Sequence, residues 1–336
     1  MRRPFDAVLV IAFGGPQGPA DIRPFLANVL RGRRVAPERV EEVAHHYELF
    51  GGVSPLTALT MRQAAGLRDR LRELGTPLPV YVGMRNWDPF LKDTLAHMAR
   101  DGVRHAIGFI AAAHRSYSSC TQYKENVAAA RAELRTAGLP DVEITYVGDW
   151  HTDDGFVDAN AEHIRDAFAR AGANARLVFT AHSIPVSMAE KYPYERQLRE
   201  SAAAVAGRGP GLADPATLKG RPTTTPAEYD LVFQSRSGRP EDPWLGPDIC
   251  DYLRGAAARG LRSVVLSPIG FICDHVEVLY DLDVEAAAVA KELGITLARA
   301  AAVNDHPKFI ETMARAVTST IERYRSGRAL QIVPAS

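Results

Sequence analysis

A dense group of acidic side chains follows an apolar segment late in the chain. The stretch GFICDHVEVLYDLDVEA comes directly after the strand-like segment SVVLSP and carries the carboxylates Asp274, Glu277, Asp281 and Glu285. On a helix that advances about 100° per residue, these carboxylates share one stripe, and a π-turn would align them more closely. Like charges at i, i+4 repel each other. Two interpretations stay open: a solvated helix face with acids near its N-terminus, or a path for cations or protons.

One histidine stands where a buried strand is expected to end. His182 lies in the segment FTAHSIP, just after the apolar residues of the strand. In open parallel sheets the ligand binds outside the carboxyl ends of the strands. A packed or capping histidine is the ordinary interpretation. The alternative is a base or a metal ligand that faces the carboxylates.

Basic and hydrogen-bonding side chains collect in the first part of the chain. The segments DIRPFLANVLRGRRV and HHYELFGGVSPL contain Arg31, Arg33, Arg34, His46, Tyr47 and Ser54. Arginines at a helix end interact favourably with its dipole. They also bind carboxylates through paired hydrogen bonds, so a carboxylate-binding rim is the second interpretation.

The elements that must position these residues alternate in type. Apolar strands separated by amphipathic helices predict parallel sheets that are covered on both faces. The predicted strands are 7–13, 79–84, 105–111, 142–147, 176–181, 229–234, 263–268 and 296–300. They divide four and four. We therefore expect an α/β fold of two Rossmann-like domains, residues 1–148 and 149–325, each with a four-stranded parallel sheet flanked by helices and facing a shared ligand cleft.

Composition excludes several classes of protein. The 336 residues contain 40 Lys+Arg and 40 Asp+Glu, so net charge does not indicate a nucleic-acid partner. No apolar run is long enough for a spanning helix, and we expect no integral membrane association. The three cysteines are far apart, which favours a reducing cytoplasm over a disulfide scaffold. The glycines of FGGPQGP lack the GxGxxG spacing of a dinucleotide site.

Seven short motifs together resemble a known family. FGGP, GGVSPL, YSSCTQY, FTAHSIP, FQSRSG, PWLGPD and GFICDHVEVLYDLD occur in the order and spacing of the ferrochelatases, over residues 7–320. The flanking sequences are most similar to the monoderm bacterial branch, which includes coproporphyrin ferrochelatases. The resemblance implies two Rossmann-like domains and a lyase of haem biosynthesis that inserts Fe²⁺ into a porphyrin. Porphyrin and ferrous iron are then its substrates, and no permanently bound cofactor is expected.

The resemblance also implies roles for individual residues. His182 matches the histidine that accepts pyrrole protons, binds iron, or both. Glu277 matches a glutamate on the opposite side of the macrocycle, and Asp281 and Glu285 match acidic positions thought to relay metal or protons. Phe13 stands where some relatives have an iron-ligating tyrosine, so it is expected to pack against the macrocycle instead.

The choice of porphyrin rests on the segment between the first helix and the GGVSPL turn. This segment is short and polar, unlike the apolar lip of many relatives that act on protoporphyrin. Coproporphyrin III is therefore expected, with its propionates bound by Arg31, Arg34, His46, Tyr47 and Ser54; the substrate-binding set also includes Tyr123 of YSSCTQY. His46 replaces an arginine of some relatives. The alternatives are protoporphyrin IX as substrate, another tetrapyrrole chelatase, or a non-catalytic carrier.

Two further expectations follow from the resemblance. Several relatives bind a [2Fe-2S] cluster through four cysteines, most of them near the C-terminus. No cysteine follows Cys273 in this chain, so no cluster is expected. Transient contacts with neighbouring enzymes of haem biosynthesis are the expected protein partners.

Overall fold

The chain forms two compact units. The computed structural model describes residues 4–32, 35–208, 228–237 and 242–327. Unit 1 takes in the described residues up to Ala112, Tyr117–Trp150 and the chain from Phe309 onward, and unit 2 takes in Ala113–Ser116 and His151–Lys308. A single boundary near residue 148 therefore describes the division only approximately, because the last helix belongs to unit 1.

Unit 1 is built around a four-stranded parallel sheet. Its strands are β1 (Ala7–Ala12), β2 (Val80–Met84), β3 (His105–Ile110) and β4 (Glu143–Tyr146), in the spatial order β2-β1-β3-β4. Its helices are α1 (Ile22–Val29), α2 (Pro37–Leu49), α3 (Pro55–Glu73), α4 (Leu91–Arg100) and α5 (Gln122–Thr136), with a π-helical turn at Tyr117–Thr121 and a 3₁₀ turn at Pro19–Asp21. All six residues of β1 are buried, as expected of a central strand covered on both faces.

Unit 2 repeats the same topology. Its strands are β5 (Arg176–His182), β6 (Tyr229–Gln234), β7 (Ser263–Ser267) and β8 (Thr296–Arg299), in the order β6-β5-β7-β8. Its helices are α6 (Asp154–Ala171), α7 (Val186–Ala189), α8 (Tyr194–Ala206), α9 (Ile249–Ala258), α10 (Val276–Val278) and α11 (Ala287–Glu292). A π-helix that we name π2 (Leu279–Ala286) joins α10 to α11. The predicted fold of two four-stranded parallel sheets is confirmed.

The last helix, α12 (Pro307–Arg325), packs within unit 1 from Phe309 onward. The Phe309 ring lies 5.5 Å from Trp150, and Glu311 forms an ion pair with Arg70 of α3. A side chain at Gly66 of α3 would meet Ile310 at 3.2 Å, so a glycine allows this close approach. Apolar contact with unit 1, which position along the chain does not reveal, thus determines where the helix belongs.

The topology directs attention to one edge of each sheet. In both orders the chain places its second strand on one side of the first and its third strand on the other. Such a reversal opens a crevice at the carboxyl ends of the first and third strands, where open α/β sheets bind ligands. Phe13 follows β1 and His182 ends β5, so both stand at the equivalent point of their own sheet.

Candidate active site

His182 is held at the end of β5 by its immediate neighbours. Its Nδ1 lies 2.5 Å from the carbonyl oxygen of Ser183, and its own carbonyl accepts a hydrogen bond from the Tyr194 hydroxyl at 2.9 Å. A carbonyl can only accept, so in the neutral imidazole Nδ1 carries the proton and Nε2 has the lone pair. The Ser183 hydroxyl donates to Leu245 O at 2.7 Å, which anchors the turn. The imidazole therefore offers Nε2 as a base or ligand.

A second imidazole, His275, lies near His182 and directly precedes α10. The Phe271 ring centroid lies 6.5 Å from that of His182 and 5.1 Å from that of His275. Nδ1 of His275 accepts a hydrogen bond from the backbone N–H of Glu277 at 3.2 Å and so caps α10. Burial lowers the pKa of His275, and the nearby His182 lowers it further, against the opposing effect of Glu277 and Asp274.

Asp281 has a strongly raised pKa in the acidic segment. It lies in π2 and accepts hydrogen bonds from the Ser235 hydroxyl and from Gln234 Nε2, the latter at 3.3 Å. Burial raises the pKa of Asp281 to about 7, and the negative charges of Glu277 and Glu285 add to the rise, although both hydrogen bonds oppose it. Asp281 therefore exchanges its proton near neutral pH.

The π-helix keeps the acidic residues along one line. Glu277 and Glu285 are exposed on either side of the half-buried Asp281, and both act on its charge. The spacing argument thus correctly predicted that these three carboxylates interact. The implied π-helical stretch is also confirmed, and π-helical turns concentrate at functional sites.

Asp274, by contrast, does not belong to the acidic line. It precedes α10, and its carboxylate binds Arg299 at 2.7 Å and Asn304 Nδ2 at 2.7 Å. Its placement in the same stripe was wrong, because the helix begins only at Val276. Asp283, which lies within π2, binds the same arginine at 2.7 Å.

Across the described residues, no three His, Cys, Asp or Glu side chains converge closely enough to hold a metal ion. The predicted metal ligands His182, Glu277, Asp281 and Glu285 therefore form no such group among these residues. The cysteines Cys120, Cys250 and Cys273 form no disulfide in the structure.

In unit 1, an arginine brings two of the predicted substrate residues together. The Arg85 guanidinium lies 4.6 Å from the ring centroid of Tyr123 and 5.7 Å from that of Phe13. Its Nε donates to Asn126 Oδ1 at 2.6 Å, and its Nη1 donates to Ser118 O at 3.4 Å. Cation–π contacts of this kind hold the guanidinium at the carboxyl ends of β1 and β2.

The other predicted substrate residues divide by exposure. Arg31 is exposed, and its Nη2 donates to Asn28 Oδ1 at 2.7 Å. His46 is half-buried on α2, while Tyr47 is buried with its ring 5.6 Å from Phe25. Ser54 is only 3 % exposed, and its hydroxyl caps α3 by accepting from Leu56 N at 3.4 Å. Arg34 lies outside the described residues.

Sequence reasoning missed four side chains near the predicted site residues, three of them at strand ends and one before a helix. They are Arg85 after β2, Gln234 and Ser235 at the end of β6, and His275 before α10. The argument that singled out His182, a polar residue at a strand's carboxyl end, applies equally to Arg85, Gln234 and Ser235. Ser235 also has φ 60°, a left-handed conformation that aims its hydroxyl at Asp281.

Comparison with known proteins places the chain in one family. The family model described as Ferrochelatase matches residues 5–321. A protein named ferrochelatase from Rhodopirellula baltica is 43 % identical over 331 residues, 97 % of this chain and 89 % of that protein. A protein named coproporphyrin III ferrochelatase from Mycolicibacterium paratuberculosis is 44 % identical over 327 residues, 96 % of this chain and 89 % of that protein.

A solved structure supports the fold. SirB from Bacillus subtilis with Fe³⁺ aligns with a TM-score of 0.56 at 11 % identity, covering 97 % of this chain and 99 % of that one. At that identity the likeness shows a shared architecture and not a shared substrate. The match to the family model and to the curated relatives identifies the function: this chain belongs to the ferrochelatase family, the enzymes of haem biosynthesis that insert metal into a porphyrin.

Proposed function

We propose that this ferrochelatase inserts Fe²⁺ into coproporphyrin III and releases two protons. The observation that carries the chemistry is the coupling of Asp281, with its pKa near neutrality, to the neighbouring carboxylates Glu277 and Glu285. Each Fe²⁺ that enters the ring displaces two pyrrole protons, so the enzyme needs acceptors for both and a negative potential for the cation.

His182 is proposed to take one pyrrole proton. In the neutral imidazole, the Ser183 carbonyl favours the tautomer whose Nε2 is unprotonated and can accept a proton. A proton accepted at Nε2 makes the imidazole cationic. His275, whose pKa is lowered by burial, stays neutral and keeps its cap on α10.

Asp281 is proposed to pass the second proton toward solvent. At neutral pH it is divided between its two protonation states, so it accepts and returns a proton at little cost. In its protonated form it becomes a donor. The buried Oε1 of Gln234 has no hydrogen-bond partner among the described atoms. Rotation of the amide would exchange Nε2 for Oε1, and Oε1 would then accept a hydrogen bond from the protonated carboxyl of Asp281.

Glu277 and Glu285 are proposed to attract and guide the metal. Both are exposed and act electrostatically on Asp281, so a divalent cation near any one of them is stabilised by all three. Carboxylate and imidazole ligands suit borderline Fe²⁺ and accept Zn²⁺ and Co²⁺ as well. The metal is proposed to pass along these carboxylates and not to be retained by them.

Arg31 supports coproporphyrin III as the substrate. Its guanidinium is exposed, and among the described residues it forms no ion pair with a carboxylate, so its charge is available to a propionate. His46 and Arg34 are proposed as further propionate contacts. The buried Tyr47 and Ser54 are proposed to act by fixing α2 and the start of α3, and Phe13 and Tyr123 by forming an aromatic wall around Arg85.

A comparison of two porphyrins tests the substrate. Anaerobic Fe²⁺ insertion should show a higher kcat/KM for coproporphyrin III than for protoporphyrin IX, and the opposite preference would refute the proposal. Replacing Arg31 by Gln should raise the KM for coproporphyrin III about 10-fold, because one charge-assisted hydrogen bond is lost. Arg39→Gln is the matched control, since Arg39 is already paired with Glu42 at 2.7 Å.

The cellular setting is proposed from the same reasoning. Scattered cysteines favour the cytoplasm, and the enzyme is proposed to work without a resident cofactor or [2Fe-2S] cluster. Of the helices in the described ranges, none is both long and apolar enough to cross a bilayer. Transient contacts with other haem-pathway enzymes remain a proposal.

A carrier or a chelatase for another tetrapyrrole would bind coproporphyrin III without turning it over, which the same assay detects.

A further inference from the structure

Arg299 occupies an unusual position behind the acidic segment. It is the last residue of the edge strand β8, and its side chain is only 16 % exposed. Its Nε binds Asp283 Oδ1 at 2.7 Å, and its Nη1 binds Asp274 Oδ1 at 2.7 Å. One guanidinium thus joins two carboxylates that stand nine positions apart in the chain.

Asp274 is held rigidly in turn. Its Oδ2 accepts from Asn304 Nδ2 at 2.7 Å, and its Oδ1 accepts from Ala302 N at 3.2 Å. Asn304 Oδ1 accepts from Asp274 N at 2.9 Å, so the two residues are bound in both directions. Asn304 has φ 47°, a left-handed conformation that asparagine tolerates better than most residues. The carboxylate therefore provides a fixed point and not a free charge.

The two anchored residues bracket Glu277 and Asp281, two of the residues proposed to handle metal and protons. Asp274 lies three positions before Glu277, ahead of α10. Asp283 lies two positions after Asp281 on π2, which places its side chain on the other side of the helix from Asp281. Pulling Asp283 toward Arg299 therefore turns Asp281 toward Ser235 and Gln234.

We propose that Arg299 is a positioning residue for metal insertion, which clamps Asp274 and Asp283 so that Glu277 and Asp281 keep their direction. This role rests on the functions proposed above for Glu277 and Asp281. Arg299 itself contacts neither metal nor porphyrin. Its guanidinium geometry matters, because a single ammonium cannot present two directed arms to two carboxylates with the same precision.

The test compares turnover with porphyrin binding. In Arg299→Gln, kcat for insertion should fall by about 10-fold or more, because small displacements of reacting groups are costly. The Kd for the porphyrin, measured by fluorescence quenching without metal, should stay within about twofold of wild type, since the porphyrin contacts are untouched. Arg299→Lys should restore part of kcat, because it keeps the charge. If Arg299 had only a structural role, Arg299→Gln would lower the yield of folded protein but would not lower kcat selectively with Kd unchanged.

Arg176→Gln is the matched control in the same unit. Arg176 pairs with Asp230 at 2.8 Å and with Glu228 at 2.7 Å, away from the acidic segment, so its loss should leave kcat per folded molecule unchanged. If Arg299→Gln does not fold, Asp283→Asn is the alternative test, because it removes one of the two carboxylates that Arg299 binds. Its kcat should fall about threefold or more.

Two outcomes separate the clamp from the functions on which it rests. Turnover of Arg299→Gln within about twofold of wild type, with Asp281→Asn inactive, overturns the clamp alone. Full turnover by Asp281→Asn overturns the proposed function of the acidic line and the clamp with it.

Discussion

Replacing Asp281 by Asn should stabilise the protein while it removes activity. The carboxyl ionises near 3.8 in an unfolded chain but near 7 in the folded protein, mainly because it is buried and also because Glu277 and Glu285 repel its charge. A folded pKa above the unfolded one gives stability that is complete below pH 3.8 and is lost as pH rises toward 7. Above pH 7 the ionised carboxylate is a constant cost.

The size of that cost follows from the two pKa values. Each unit of difference is worth about 1.4 kcal/mol, so a shift from 3.8 to about 7 sets an upper bound of about 4 kcal/mol. Partial access of water to the half-buried carboxylate reduces the figure to about 2–4 kcal/mol. The amide of the variant has nearly the same shape and cannot ionise, so it escapes the whole penalty.

Urea unfolding at pH 4, 5, 6, 7 and 8 provides the assay. The Asp281→Asn variant should match wild type at pH 4, gain on it at each step and level off above pH 7. Its kcat for metal insertion should fall by about 100-fold, as expected when a proton-transfer group is removed. In the unfolding assay only, Asp283→Asn is the comparison variant and should be less stable than wild type, because it loses the Arg299 ion pair.

Two results would refute this reasoning. A variant that is less stable than wild type at pH 8 would show that the Asp281 carboxylate is stabilised by its surroundings. A stability difference that does not change with pH would show that the carboxyl does not titrate between pH 4 and 7.

Three other predictions concern neighbouring parts of unit 2. His182→Ala should lose metal insertion by about 100-fold but keep porphyrin binding, whereas equal losses in both would contradict its role as the base. Burial and His151 lower the pKa of His114 from 6.5 to about 3. Between pH 7.5 and pH 5, the unfolding free energy of wild type should therefore fall by about 2 kcal/mol more than that of His114→Gln. Parallel pH profiles of the two proteins would exclude this. Gly270→Ala should lose stability and turnover, because its Cβ would stand 2.5 Å from that of Ala181, the residue before His182. Gly18→Ala is the control, since a Cβ at Gly18 would meet nothing within 4 Å. Equal melting temperatures for the two variants would contradict the close packing at Gly270.

The sequence alone determined the sheets and the interaction of three carboxylates within one helical segment. All eight predicted strands are present within one or two residues, because a buried parallel strand is a continuous apolar run that is visible locally. The position of His182 at the end of β5 and the interaction of Glu277 with Asp281 and Glu285 follow from spacing within one element, which needs no knowledge of distant contacts.

Tertiary structure decided which charged groups are free to act. Asp274 appeared to extend the acidic line but is bound by Arg299 and Asn304, which lie 25 and 30 positions away in the chain. Asp281 owes its perturbed pKa to burial and to neighbouring charges, and its hydrogen-bond partner Ser235 lies 46 positions earlier. Local periodicity cannot reveal such pairings, because the energy of a charge depends on the solvent it loses and on partners that only folding brings near.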